Sequence, residues 1–569
     1  MYNHLSSTIP DNERNRRYLA DIKAAAEKYE EEPIKDLPFS KYMIYFQSGS
    51  RLEYEAAYIE HRRRLNVYAL MALSTKEEKW IKGLEDILWA VCNEYTWAFP
   101  AHLKDVTDIS ECAITIDLFS ADTGVTLSEI CHVLDGYISP IVRNRVEMEI
   151  RRRIIQPYKE RNLKFYTDNW SAVCAGGVGM CTMYWGGWEE YQIVHPKVID
   201  SIQEFIDSYA EDGCCLEGAL YWGGGFGYFT YYAEMLRELS GGEIDLFKNS
   251  KVHEIALFPT KVYLEKDDVI PFSDAAHNYN YRIGLIHFLA KEYEEAQVFD
   301  EKYAMWFDED YRYKFVEAIR DLFWYTPGLT KTQENKAATA CHIFKQSQWY
   351  INKQEDFCLA VKGGRNNEPH NHNDLGHIVL YSHGKYILDD LGWPEYDSEY
   401  FGVNRYQNLC ASSAGHSVPI INGQHQLRGR IHNSKMLEAN ESMVKFELAG
   451  AYEDGLAKSF VRCVKLDENQ KNKIWLEDSF EEVLGEIRER FITRIPPVIQ
   501  DNKIIIDNWF IECADKECTL EISRDTFKPR LDICKMNMKP VEEVYLIDFV
   551  VQSENAKKNI IFTIGQIDK

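Results

Sequence analysis

No run in the 569-residue sequence approaches the roughly 18 consecutive apolar residues of a membrane span. The first residues, Met1-Tyr2-Asn3-His4-Leu5, carry neither the basic patch nor the apolar core of a secretory leader. Both absences point to a cytoplasmic protein without a membrane partner. Cysteine is present, 14 in all, but no CxxC pair or regular framework spacing occurs. That argues against a disulfide scaffold and suits reduced, mostly buried thiols. Positive charge is scarce, with 65 Lys and Arg against 90 Asp and Glu, a net of −25. A surface so acidic speaks against nucleic acid as a partner, and an anionic ligand would need a locally basic cleft. No repeat unit recurs cleanly, and homo-oligomerisation is left open.

What the chain does have is length, apolar residues and rings. A chain this long exceeds one compact core, and two large domains follow. Hydrophobic residues at 45% exclude general disorder. The 35 Tyr and 13 Trp would suit a carbohydrate cleft, although ordinary core use explains them equally well. From Glu53 the helical period dominates, with Tyr54, Ala57, Tyr58, His61, Leu65, Tyr68 and Ala72 near one face. Helices are expected at about 76–95, 113–135, 138–160, 169–184, 196–211, 217–240, 252–264, 278–296 and 309–326. After Pro327-Gly328 the pattern changes to short Val-, Ile- and Phe-rich runs such as Phe357–Val361, Met443–Leu448 and Lys503–Asp507. The expected architecture is α+β and multidomain. An all-α domain over 1–335, with helix pairs that would suit an (α/α) toroid, precedes an antiparallel β-sandwich over 336–569.

The densest chemistry lies at Pro369-His370-Asn371-His372-Asn373-Asp374-Leu375-Gly376. Followed by His377-Ile378-Val379-Leu380-Tyr381, it reads as the start of a strand, with His370, His372 and Asp374 on one face. A hairpin turn follows at Ser382-His383-Gly384-Lys385. Such a cluster fits a metal site or an acid/base site, or else a polar turn that satisfies its own backbone.

Several segments, in order, resemble the heparinase II/III-like polysaccharide lyases. They are Trp97-Ala98-Phe99-Pro100-Ala101-His102, Asp168-Asn169-Trp170-Ser171 to Gly177, Asp212-Gly213 to Glu217-Gly218-Ala219-Leu220-Tyr221-Trp222, and the H-x-H-N-D-x-G stretch from His370 to Gly376. Asp390-Leu391-Gly392, Glu395-Tyr396, Arg405-Tyr406 and Gly415-His416 to Gly423 complete the series. Departures are Asp168 and Ser171 where Asn is usual, Leu391 for a Pro, and Gly223-Gly224-Gly225 where another Tyr is usual.

The resemblance implies a toroid followed by a β-sandwich. It also implies β-elimination on uronic-acid glycans of glycosaminoglycan type, leaving a 4,5-unsaturated end. Asn169 would neutralise the substrate carboxylate, its alternative being a helix N-cap. Tyr221 would transfer the proton, although a phenol titrating near 10 is a poor base without nearby cations. His370 is the competing base. His372, Asp390 and His416 would hold Zn²⁺ in a structural, cleft-shaping role, with Asp389 a rival ligand. His102, Trp170, Glu217, Trp222, Tyr396 and Arg405 are candidate substrate contacts, Arg405 either pairing with a substrate anion or bridging two loops. The run Arg143, Arg145, Arg151, Arg152, Arg153, Lys159 and Arg161 would give a positive field or simply a solvated helix face. Two other readings stand beside the lyase: a toroid glycoside hydrolase using Glu217 and Asp212, and a non-catalytic glycan-binding protein.

Overall fold

The computed structural model describes residues 5–103, 107–310, 312–329, 339–394, 396, 400–529 and 541–567. The expected domain boundary at 335/336 and Glu395 lie outside them. Helices fill the described chain up to Phe323, and the strands proper begin at Ala340. The long Leu52–Thr75 helix buries Tyr54, Tyr58, His61, Leu65, Tyr68 and Ala72 of the expected face and leaves Ala57 half-buried, and from Arg64 to Leu73 it is buried on every side. It stops where Lys76 turns left-handed (φ 59°) and its N–H reaches back to the Ala72 carbonyl. The next helix, Glu78–Asn93, packs Trp80, Leu84, Ile87, Leu88 and Val91 inward. Helix pairs of this kind form the toroid.

The helices expected at 169–184 and 196–211 are present. A π-helical turn, Ser171–Ala175, runs into the first, and the two meet within Gly176–Ser208 at a kink where Gly187 leaves helical geometry (φ 62°, ψ −160°). Glycine alone adopts that geometry cheaply, so the chain bends without a loop.

After residue 339 the strands are antiparallel throughout. A five-stranded sheet runs in chain order from Ala340–Phe344 to Lys385–Leu388. Its last hairpin closes at His383 (φ 47°) and Gly384 (φ 78°), both left-handed, as a two-residue turn requires. Eight- and four-stranded sheets complete the sandwich. In the eight-stranded sheet, Lys473–Glu481 alternates buried and half-buried residues, the signature of one face on the core.

The two halves share apolar packing. Phe344, Trp349, Ile351 and Val379 of the first sheet belong to the core of the helical half. Polar clasps reinforce that seam. Asp212 accepts hydrogen bonds from the Gln346 and Ser347 amides (2.8 and 3.0 Å) and the Ser347 hydroxyl (2.8 Å). The Lys353 ammonium donates to the Thr260 carbonyl at 3.0 Å.

Candidate functional site

A cleft of about 460 Å³ opens at the seam. Its walls carry Asn169, Trp170, Tyr221, Gly224 and His102 from the helical half, with His370 and Tyr396 from the β half. Asn169 lies just before the π-helical turn at Ser171–Ala175. Such turns are concentrated at functional sites, because the extra residue re-aims the neighbouring side chains. Asp168 does the capping there, its Oδ1 accepting the Trp170 amide at 3.0 Å. The Asn169 carboxamide is therefore not consumed as an N-cap and remains on the cleft wall. Trp170 meets the His102 ring edge-on at 5.0 Å, and His102 Nδ1 donates to Asp117 at 2.7 Å.

Tyr221 sits on the first turn of the Ala219–Leu239 helix. The three glycines that follow have separate roles. A Cβ at Gly223 would stand 2.0 Å from the Tyr279 hydroxyl, and one at Gly225 would stand 2.9 Å from the Asn169 Cβ. A Cβ at Gly224 would meet nothing within 4 Å and would project into the cleft. Close packing and open space thus account for a run that costs about 1 kcal/mol per glycine relative to alanine.

Across the cleft the His370 ring stacks on Tyr221, centroids 4.3 Å apart. Its Nδ1 donates to Asp274 Oδ2 at 2.8 Å, and its Nε2 lies 3.3 Å from Glu217 Oε2. Burial alone would lower this imidazole, but Asp274 and Glu217 outweigh it and hold it raised. Glu217 is itself buried, and burial pushes its carboxyl up to about 7 despite the nearby His370. The Tyr221 and Tyr396 hydroxyls are 2.8 Å apart, and the Tyr396 hydroxyl donates to Asp274 Oδ2 at 2.8 Å.

Below His370 lies the candidate metal centre. Ligand atoms of His372, Asp374, Asp390 and His416 fall within 4.8 Å of one another, all buried. The Lys362 ammonium binds both Asp374 oxygens at 2.7 and 2.8 Å, offsetting that charge. His372 Nδ1, Asp390 Oδ2 and His416 Nε2 are buried without a hydrogen-bond partner. Buried polar atoms are rarely left so, and three converging on one point fit a metal ion. The opposite ring nitrogens are anchored as ligating histidines require: His372 Nε2 donates to Asp274 Oδ1 (2.9 Å) and His416 Nδ1 to the Ser412 carbonyl (2.9 Å). Burial lowers the His416 imidazole to about 4, leaving it neutral with a free lone pair. Burial would raise Asp390, but its histidine neighbours hold it well below the usual carboxylate range. A fourth atom, His377 Nε2, is buried there without a hydrogen-bond partner as well, 3.3 Å from Asp390 Oδ2, while its Nδ1 accepts the Ser417 amide at 2.8 Å.

Several sequence expectations are corrected by these positions. The His370–Gly376 stretch is not a strand; the strand begins at Ile378. His370 is left-handed (φ 55°) and Gly376 follows at φ 90°, so the motif folds as consecutive turns. His370 and His372 are still neighbours, joined through Asp274. Trp222 does not face the cleft: it is fully buried and donates to the Ile255 carbonyl at 2.7 Å. Arg405 is not free for a substrate anion. It pairs with Asp274 at 3.2 Å and donates to the Asn371 carbonyl, bridging two loops. Asp389 is held by His277 and Arg494, away from the metal ligands. The basic run from Arg143 to Arg161 is taken up by acids, including Glu149 with Arg145, Arg152 and Arg153. The cations on the cleft wall are instead Arg51, Arg312 and Lys314. Asp212 is spent on the inter-half clasp, so no Glu217–Asp212 pair flanks the cleft. Asp274 and His377 carry parts of the site that the sequence did not mark, and Asp374, expected only as part of the motif's shared face, sits among the candidate metal ligands.

Comparison with known proteins bears on the fold. Residues 337–488 match the family model described as Heparinase II/III-like, C-terminal, as the ordered motifs led us to expect. No curated protein matches the chain. Among solved structures, heparan sulfate lyase HepC from Pedobacter heparinus aligns over 98% of this chain and 84% of its own, with a TM-score of 0.63 and 13% identity. Heparinase III aligns over 98% and 93%, at 0.63 and 14%. The Streptomyces coelicolor A3 chondroitin AC lyase in complex with chondroitin sulphate aligns over 98% and 80%, at 0.60 and 9%. The fold is therefore that of a helical toroid joined to an antiparallel β-sandwich.

Proposed function

We propose that this protein is a polysaccharide lyase that cleaves uronic-acid-containing, glycosaminoglycan-like chains by β-elimination. The observation that carries the reading is the meeting of Asn169 and Tyr221 with His370 and Tyr396 in one cleft at the seam. Removing the proton on C5 of a uronate is difficult because the adjacent carboxylate is already anionic. A carboxamide donating hydrogen bonds to that carboxylate stabilises the charge that builds on it. Asn169, free of a capping duty, has the chemistry for this role.

Tyr221 is the proton-transfer residue in this reading. Both nitrogens of His370 face carboxylates, so its ring directs no lone pair at the cleft. His370 instead stacks on the phenol, its imidazole held raised by Asp274 and Glu217. From Tyr221 a path of hydroxyl hydrogen bonds leads through Tyr396 to Asp274. Ionised to the phenolate, with its own proton released to solvent before the step, Tyr221 takes the C5 proton on its oxygen, the electron pair forms the C4–C5 double bond, and the C4–O bond breaks. The leaving oxygen then takes a proton from the same hydroxyl. The cations lining the cleft are Arg51, Arg312 and Lys314, beside Glu55 and Asp168; Arg51 pairs with Glu55 and Lys314 with Glu317.

The metal centre fits Zn²⁺, with His372, Asp390 and His416 as ligands and a cleft-shaping role. When bound, the ion fixes the loops that carry His370 and His416; no step of the elimination is routed through it. The glycosidase reading loses its carboxylate pair with Asp212 occupied elsewhere. The test is to incubate the protein with heparan, chondroitin, hyaluronan and alginate oligosaccharides and follow ultraviolet absorbance. A conjugated unsaturated uronate absorbs there; new reducing ends without that absorbance would overturn the proposal.

A further inference from the structure

Asp274 is fully buried, and its two oxygens face different partners. Oδ1 accepts from the metal ligand His372 and from the Tyr400 hydroxyl. Oδ2 accepts from His370, from Tyr396 and from Arg405. The residue belongs to neither half of the site as the sequence divides it. It stands 96 positions before His370, on a loop of the helical half.

That loop is held under constraint from both sides. Ser273 is fully buried in the left-handed region (φ 67°), which costs roughly 1–3 kcal/mol for a non-glycine residue and persists only where the surroundings impose it. Ala275 is gripped between two glycines. A Cβ on Gly218 would stand 2.7 Å from the Ala275 Cβ, and one on Gly392 would stand 2.3 Å from the Ala275 oxygen. Gly218 is the N-cap of the helix bearing Tyr221, and Gly392 lies two residues after the metal ligand Asp390. The Asp274 loop is thus wedged between the proton-transfer helix and the metal-bearing loop.

We propose that Asp274 is a positioning residue that ties His372 to the Tyr221–Tyr396 pair, so that metal retention and proton-transfer geometry are set by one carboxylate. This rests on the lyase reading for its catalytic half and on the metal centre for the other. The geometry separates the two effects by oxygen. Loss of the Tyr400 hydroxyl strips a partner from Oδ1, the oxygen that holds the metal ligand. Loss of the Tyr396 hydroxyl strips one from Oδ2 and breaks the path from Tyr221.

The test uses the full-length zinc-loaded protein and its D274N, Y400F and Y396F variants. Zinc transfer to a chromophoric chelator is measured beside kcat and KM. D274N is expected to release zinc at 10- to 100-fold lower chelator concentration, the usual effect of losing a carboxylate behind a ligating histidine. Its kcat should fall with little change in KM. Y400F should weaken zinc retention more than it lowers kcat, and Y396F should lower kcat with zinc retained. D274N holding zinc like the parent would overturn the proposal. If D274N fails to fold, the tyrosine variants decide, and equal effects of both on zinc and kcat would overturn it. A parent that binds zinc but eliminates no uronate glycan defeats the lyase reading; the zinc comparison between D274N and Y396F still decides the positioning claim.

Discussion

The hydroxyl oxygens of Tyr221 and Tyr396 lie 2.8 Å apart although the residues are 175 positions apart in the chain. Tyr221 comes from a helix of the toroid and Tyr396 from a loop of the β half, so this contact exists only when the two halves are docked. The Tyr396 proton is committed to Asp274, which leaves Tyr221 as the donor between the two phenols.

Removing the Tyr221 hydroxyl should therefore abolish proton transfer while leaving the cleft its shape. Tyr221→Phe is expected to lower kcat by about 10²- to 10⁴-fold with KM nearly unchanged. Asn169→Ala should cost about 10²–10³ in kcat, as for the loss of one preorganised donor. Steady-state kinetics on an oligosaccharide substrate checks both; a drop confined to KM would assign these residues to binding alone.

The metal centre makes a prediction independent of turnover. Elemental analysis of the native protein should find about one zinc per chain, and His372→Ala should lose it. A protein free of metal after purification without chelators would refute the assignment.

Glu217 predicts a pH dependence of stability. Its carboxyl titrates near 7 in the fold, against 4.5 for the ordinary residue, because burial favours the protonated form. A folded value above the unfolded one means the contribution is complete below 4.5 and is lost as pH rises through 7. The full span is at most about 3 kcal/mol. Melting temperature should fall across this window in the parent and fall less in Glu217→Gln. Parallel curves for the two proteins would show that Glu217 is not the titrating group.

The glycine run separates packing from cleft volume. Gly224→Ala meets no neighbour within 4 Å and should stabilise the helix by about 1 kcal/mol. Its methyl enters the cleft, so KM should rise. Gly225→Ala presses on the Asn169 Cβ and should destabilise the fold and lower kcat. Thermal unfolding beside kinetics distinguishes the two; identical behaviour would contradict the packing account.

The parts of this site carried by local pattern were legible in the sequence. Helical periodicity marked residues that Leu52–Thr75 buries, and the family resemblance of the ordered motifs, not local pattern, grouped Asn169, Tyr221 and His370. Trp222 was misjudged because neighbours on a helix point about 100° apart, so a residue beside Tyr221 faces the core. The His370 motif was misjudged as a strand because alternation of His and Asp mimics a two-residue period, while the left-handed turns at His370 and Gly376 leave no periodic trace. Asp274 had no signal. Its importance comes from five donors brought together by tertiary packing, and nothing in Phe272-Ser273-Asp274-Ala275 distinguishes it from an ordinary loop.

Elimination and hydrolysis differ by one molecule of water, and weighing the products separates them most directly. A defined uronate-containing oligosaccharide is cleaved to completion and every product is measured by mass spectrometry. The account predicts that the product masses sum to the mass of the substrate, with the unsaturated uronate on one fragment. Products that sum to the substrate plus one water would contradict it.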